Sequence, residues 1–251
     1  MNKEEHFLRN RFLELANNAY SRNIYTNTDF LNLNEQNILH QMKQEFPSVH
    51  ITLTGGNDFA ERKIAIFSPP EIYYELSVPI VMLEIAPINS QFAEKLTHRD
   101  YLGAILNLGI QRSKIGDLML FENKTILFCM EDIASYIQEQ LFRIRHTQVQ
   151  IRQILDDFQQ FRPALVEKRG TISNVRLDSL IALAFGTSRS SIITFIQSGK
   201  VFVNGKLITS NGYTPKEKDI ISVRGKGRFQ FGSVLGQTKK GRNLVSIYLY
   251  Q

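Results

Sequence analysis

The chain has 251 residues, a single cysteine, five histidines and no apolar run that approaches the ~20 residues a membrane span needs. One cysteine excludes an internal disulfide and a cysteine-built zinc site. Cys129 lies inside Ile126-Leu127-Phe128-Cys129-Met130, where a free thiol reads as a small buried hydrophobe and has no low-pKa setting for nucleophilic work. His6, His40, His50, His98 and His146 are scattered without ligand spacing, so no metal is expected. The first residues interleave Lys3, Glu4, Glu5, Arg9 and Arg11 with few apolar side chains and lack a signal-peptide core. No phosphate loop, dinucleotide fingerprint or nucleophile elbow occurs, so no cofactor is expected. These absences predict a cytoplasmic protein, off the membrane and monomeric, without catalytic residues.

With 43% hydrophobic and 22% charged residues, the composition is that of an ordinary folded protein. The charge is unevenly placed. Residues 173–251 carry 12 Lys and Arg against 3 Asp and Glu, a local net of +9, and the remainder of the chain is left at −3 out of the total of +6. A cationic tail on a mildly acidic body points to a polyanionic partner.

Periodicity divides the chain into an α+β architecture of three parts. Residues 1–72 read as a small α+β domain. Phe7, Leu8, Phe12, Leu15 and Ala19 recur at helical spacing, and Asn34 is placed to cap a second helix carrying Ile38, Leu39, Met42 and Phe46 before Pro47 stops it. Residues 49–54 and 62–67 read as paired strands around Gly55-Gly56-Asn57-Asp58. Residues 73–160 run strand (78–86), helix (98–108), a hairpin of strands (117–121 and 125–130), helix (131–143), strand (147–154), the β-α-β-β-α-β order of a ferredoxin-like domain. RNA-recognition domains of that shape present stacking aromatics and a basic-glycine-aromatic signature on the third strand. Here that strand has only Phe128. Residues 161–172 read as a linker, and residues 173–251 as a small basic domain, two helices followed by strands.

Within the basic domain, Ser188 is placed to cap the helix that Arg189 opens, and a helix start offers backbone N–H groups to a phosphate. Arg189 adds a forked donor, with Arg176 before one helix and Lys200 after the other. Gly199 suits a left-handed helix terminus, and Asn204-Gly205 is a two-residue hairpin signal. Any one of these cations alone is most simply a solvated surface charge. Their shared spacing favours RNA binding by Arg176, Ser188, Arg189, Ser190, Lys200, Asn204, Lys206, Arg224, Lys226, Arg228, Lys239, Lys240 and Arg242. The unit resembles the alpha-L RNA-binding motif of a small-subunit ribosomal protein, bacterial tyrosyl-tRNA synthetases and many pseudouridine synthases. The resemblance rests on Arg176-Leu177-Asp178, Ser188-Arg189, Ile196, Gly199, Val201, Val203-Asn204-Gly205 and Asp219-Ile220-Ile221. It departs at Lys218, where the motif usually has glycine.

Gly55-Gly56 with Glu61-Arg62, His98-Arg99-Asp100-Tyr101-Leu102-Gly103, Gly109-Ile110, Arg112, Ile115-Gly116-Asp117, Arg224-Gly225-Lys226-Gly227-Arg228-Phe229 and Thr238-Lys239-Lys240-Gly241-Arg242 together resemble the bacterial YlmH family over nearly the whole length. That resemblance implies a non-enzymatic RNA-binding factor of ribosome-associated quality control, whose partners are ribosomal RNA, the large ribosomal subunit and peptidyl-tRNA. Arg62, His98, Arg99 and Arg112, with Gly55, are the candidates for a second RNA surface. Two motifs mislead. His98-Arg99-Asp100 echoes a kinase catalytic loop but has Ile105 where asparagine is required. Arg176-Leu177-Asp178 echoes the catalytic motif of pseudouridine synthases, yet only 73 residues follow Asp178, too few for that catalytic domain, so Asp178 reads as a helix-start residue. The rival functions are an RNA-modifying enzyme, with Asp58, Glu61, Arg62 and Asp100 as first candidates, and a protein-recruiting adaptor tethered to RNA.

Overall fold

Phe12, Leu15, Ala16 and Ala19 fall on one stripe of helix α1 (Lys3–Arg22) and are all buried, the three-and-four spacing of a helix with one face on a core. The computed structural model describes residues 3–71, 77–155 and 165–250, in two units, Met1–Arg162 and Pro163–Gln251.

In the first unit α1 is followed by β1 (Thr26–Asn27), α2 (Leu33–Gln41), β2 (His50–Thr54) and β3 (Ile64–Ser68), with the strands in the order β1-β3-β2. The cap of α2 is Asn32, two residues earlier than expected. Its side chain accepts from Asn34 N and Glu35 N, and the Glu35 carboxylate accepts from Asn32 N at 2.6 Å, a capping box that Asn34 has no glutamate in register to complete. The helix ends at Gln41, so Phe46 lies beyond it, stacked edge-on against Phe67. The whole of β3 is buried and its alternate residues serve two cores. Ala65 and Phe67 pack with Phe12, Leu39 and Met42 of the helical side, whereas Ile64 and Ile66 pack with Met82, Ile126 and Phe128.

Those last three belong to a second sheet. Its elements are β4 (Ile80–Pro87), α3 (His98–Leu106), β5 (Ile115–Leu120), β6 (Thr125–Met130), α4 (Ala134–Gln140), β7 (Arg143–Ile144) and β8 (Thr147–Ile154), and its strand order is β5-β6-β4-β8-β7. Strand β6 is inserted between β4 and β5, the two strands that α3 connects, which is the split arrangement expected of a ferredoxin-like domain. The helix expected over residues 131–143 is shorter: a single 3-10 turn precedes α4, and Arg143 already pairs in β7. Leu83, Ile85, Leu127 and Cys129 face α3 and α4 through Tyr101, Ile105 and Ile137. The unit is therefore four-layered, helices on sheet on sheet on helices. Burial, with Asp132 nearby, pushes the Cys129 thiol up to about 12, as an inert core residue requires.

The second unit is β9 (Leu165–Ile172), α5 (Leu177–Phe185), α6 (Arg189–Gln197), β10 (Val201–Val203), β11 (Lys206–Leu207), β12 (Ile220–Val223), β13 (Gly227–Gln237) and β14 (Asn243–Tyr250), with strand order β11-β10-β12-β13-β14-β9. Residues 165–172 are thus not linker, as the sequence suggested. They pair with β14 over their full length, from Leu165 opposite Tyr250 to Ile172 opposite Asn243. The rest of that expected linker, residues 161–164, and the expected boundary at residues 72 and 73 involve positions outside the described residues. Leu180, Ile181, Ile192 and Ile196 of the two helices pack on Val201, Ile221, Phe229 and Ile247 of the sheet.

Lys218 adopts a left-handed backbone with φ of 71°, the conformation that explains why glycine is usual there. Lys218→Gly is expected to stabilise the protein by about 0.5–1 kcal/mol, the relieved backbone cost less the added freedom of the unfolded chain. Urea denaturation reads this directly. An unchanged or lowered midpoint would show that the turn is not strained.

Candidate nucleic-acid interface

Asp178, in the first turn of α5, has only 1% of its side chain exposed. Arg189, at the start of α6, donates to its Oδ2 from Nη2 at 2.6 Å and from Nε at 3.2 Å, and Arg176 Nε stands 3.4 Å from its Oδ1. A carboxylate so far removed from water stays ionised only beside cations. Two arginines expected on the RNA surface are therefore turned inward toward one acid. Arg189 keeps 51% of its side chain exposed and shares the lining of a cavity of about 200 Å³ with Thr171, Ser173, Ser179 and Arg242. Arg242 donates from Nη2 to the Thr171 carbonyl at 2.8 Å.

Ser188 caps α6 as expected, accepting from Ser191 N at 3.3 Å, with Ser190 Oγ 3.1 Å from its hydroxyl. The hydroxyl is engaged by the helix, so what this end offers an anion is backbone N–H and dipole. Lys239 and Lys240 are exposed in the turn between β13 and β14, closed by Thr238 N on the Arg242 carbonyl at 2.8 Å.

A second group of cations gathers beyond the other end of α6. The ammonium groups of Lys200 and Lys226 lie 5.3 and 5.1 Å from the Phe195 ring centroid. Arg224 lies 5.3 Å from Phe202, and its backbone N–H donates to the Lys200 carbonyl at 2.9 Å. Nine residues of α6 at about 1.5 Å each separate the two groups by roughly 13 Å, so Arg189 and Lys200 do not converge on one point. Sequence reasoning missed Phe195. It sits three residues after the buried Ile192 and beside the buried Ile196, on the flank of the apolar stripe. Arg228 stacks on Tyr250 at 4.4 Å. Lys206 is exposed on β11. Asn204 serves the fold instead: at φ of 48° it forms the β10–β11 turn with Gly205 at 79°. Its amide donates to Asp219 and accepts from Ile220 N.

The first unit corrects the expected second surface. Arg62 donates to the carbonyls of Ile115, Phe30 and Arg112 at 2.9, 2.8 and 3.3 Å, and Asp117 accepts from the backbone N–H of Glu61 and Arg62. Arg112 donates to the carbonyls of Ile115 and Gly116. Burial, with Arg62 beside it, lowers its pKa to about 10. Both arginines are internal staples because the carbonyls of loops between strands need donors that no sheet supplies. A side chain on Gly55 would meet Ala60 and the Arg62 carbonyl, so that glycine answers to packing. His98 is exposed at the start of α3, its pKa lowered by partial burial and by Arg112. Asp100 closes the capping box with Thr97 and pairs with Arg145 at 2.9 Å. Of the four, Arg99 remains an exposed cation.

Residues 77–157 match the family profile described as "Putative RNA-binding domain in YlmH", and residues 175–221 match the S4 domain. Over 221 residues the chain is 35% identical to the ribosome-associated protein quality control protein P2 of Bacillus subtilis (strain 168), an alignment that covers 86% of this chain and 83% of that protein. Among solved structures, the cell division protein ylmH from Streptococcus pneumoniae aligns over 61% of this chain and 93% of that chain, at 21% identity and a TM-score of 0.48.

Because Arg189 neutralises a buried acid, Arg189→Ala is expected to cost about 2–3 kcal/mol of stability, below the full penalty of breaking a buried pair since Arg176 remains. The double variant Arg189→Ala/Asp178→Ala should recover part of that loss. Thermal denaturation of the three proteins decides it. A single variant as stable as the parent would mean that the pair is solvent-compensated.

Proposed function

The chain belongs to the YlmH family, and from that membership we propose that it is a non-enzymatic RNA-binding factor of ribosome-associated quality control, acting in the cytoplasm as a monomer on the large ribosomal subunit and its peptidyl-tRNA. The observation that carries the reading is the coincidence of the S4 match, residues 175–221, with the +9 half of the chain and with the Lys200, Arg224 and Lys226 cluster. Cations grouped on one short stretch of surface bind a phosphate backbone by releasing its counterions. The domain match at residues 77–157 extends RNA contact to the first unit, and the similarity to a relative named for ribosome-associated quality control supports the ribosomal setting. Among the described residues no single helix is long and apolar enough to cross a membrane.

A role without a chemical step is supported by how the candidate catalytic side chains are used. Asp100 is tied into a helix cap, Arg62 into backbone carbonyls and Asp178 into an ion pair. Each acts by holding structure. On this reading the two cation groups do the binding: Lys239, Lys240 and Arg242 at one end of α6, and Lys200, Arg224 and Lys226 at the other.

Lys200→Ala and Lys226→Ala should each weaken RNA binding without loss of folded structure and lower the log–log salt slope by roughly 0.7–0.9. The decisive measurement is co-sedimentation of the full chain with purified large subunits, with and without peptidyl-tRNA, near physiological salt. The parent should prefer the peptidyl-tRNA form, the Lys200→Ala/Arg224→Ala/Lys226→Ala variant should be lost from both, and Arg99→Ala should weaken retention mildly. Retention of the triple variant at the parental level would sink the assignment of the interface. A modified nucleoside found in RNA incubated with the protein would sink the non-enzymatic reading.

A further inference from the structure

The sheet that carries β4 has two ends on the face turned away from α3 and α4. At one end Ile80, Met82, Ile126 and Phe128 lie under Ile64 and Ile66 of β3. At the other, the next residues of β4 on that face are Glu84 and Ala86, opposite Arg152 and Gln150 of β8. Here the sheet opens into a cavity of about 270 Å³ lined by Glu84, Ala86, Gln150, Ile151 and Arg152. The face changes from apolar to polar within two residues of one strand.

Glu84 has 8% of its side chain exposed. Lys124 Nζ donates to its Oε2 at 2.8 Å, and Arg152 to its Oε1 at 2.8 Å. Burial pushes the Glu84 carboxyl up, but Lys124 and Arg152 outweigh it and hold it below the usual range, so it stands in the cavity as an anion. As a stabilising device this is poor, because a desolvated ion pair gains little over apolar packing. As a recognition device it has the parts a base requires. An ionised carboxylate only accepts, and each oxygen that takes one cation keeps a second lone pair. Ala86 leaves space above the floor. Gln150, exposed on the rim, both donates and accepts, and the planar Arg152 guanidinium, 71% exposed, is a surface on which a base stacks.

Resting on the RNA-binding reading given above, we propose that this cavity is a nucleobase pocket in which the Glu84 carboxylate selects guanine. The choice follows from the Watson–Crick edges. Guanine presents two adjacent N–H donors, N1–H and N2–H, beside the O6 acceptor, which complements a carboxylate flanked by a cation. Adenine and cytosine set an unprotonated ring nitrogen against the carboxylate, and uracil flanks its one donor with two carbonyl oxygens. Each of these leaves a buried acceptor facing another acceptor, which is where hydrogen-bonding sites gain most of their discrimination.

The test is fluorescence anisotropy of the full chain with a short adenosine RNA strand bearing one central guanosine and with an all-adenosine strand. The parent should favour the guanosine strand at least about fivefold, the lower end for a good bidentate base contact. Glu84→Gln should reduce that preference below about twofold while holding the all-adenosine strand as well as the parent does. Lys200→Ala/Lys226→Ala should weaken both strands and keep the preference, which separates failure of the cationic interface from failure of the pocket. If Glu84→Gln does not fold by circular dichroism, Gln150→Leu, at an exposed strand position, fills the rim and should abolish the preference. If neither strand binds, guanosine and adenosine monophosphate are titrated while the backbone amides of Ala86 and Gln150 are followed by NMR. Shifts with the guanosine nucleotide alone uphold the pocket. Equal binding of the two strands, equal or absent shifts, or a preference that survives the folded pocket variant overturns it.

Discussion

A carboxylate with 1% of its side chain in contact with water is tenable only with cations at hydrogen-bond distance, and Asp178 obtains them from two different places in the chain. Arg176 precedes α5 and Arg189 opens α6, so satisfying one acid fixes both helix starts against each other. Once they are fixed, the apolar stripes of α5 and α6 meet the sheet together. The cap at Ser188 and the cations beyond Gly199 are then carried at the two ends of one positioned helix. The interface depends on that buried pair without consisting of it. Its arginines supply placement, and the exposed lysines beyond α6 supply the free charge.

The same logic governs the first unit with the signs exchanged between side chain and backbone. A guanidinium carries five donors in a fixed fork, and Arg62 points it at carbonyls contributed by residues 30, 112 and 115. Asp117 returns the favour to the backbone of Glu61 and Arg62. This reciprocal lock joins the loop before β3 to the start of β5, and it holds the first sheet over the second. Arginine beside glycine and acid in sequence, which suggested a phosphate site, is here the chemistry of closing a gap between two sheets.

Much of the architecture is local and was therefore readable. The helical stripe of α1, the split β-α-β-β-α-β order, the Ser188 cap, the left-handed Gly199 at φ of 71° and the Asn204-Gly205 turn each follow from a few neighbouring residues. What escaped depends on distant partners. Strand β9 has Glu167-Lys168-Arg169 in its middle and is an edge strand, so its sequence resembles a linker until β14 pairs with it. Whether a cation faces water is likewise not a local property. Arg189 finds Asp178 eleven residues back, and Arg62 finds Ile115 fifty-three residues ahead. The motif residues were located correctly, but their direction required the tertiary fold.

Phe128 shows how the layering limits the kind of RNA contact left to the first unit. A ferredoxin-like sheet that reads RNA by stacking needs exposed aromatics on the face opposite its helices, and the aromatic on β6 is fully buried under β3. Covering that end with Ile64 and Ile66 removes a stacking platform while stabilising the junction through apolar burial. The cover cannot extend past Met82 on β4, because the next position on that face is an ionised Glu84 held by Lys124 and Arg152. Apolar contact over an ion pair would desolvate it further at no gain in pairing. The boundary between the two cores is thus set by one acidic residue, and the surface beyond it is left to polar partners that recognise by hydrogen bonding along an edge rather than by stacking on a ring.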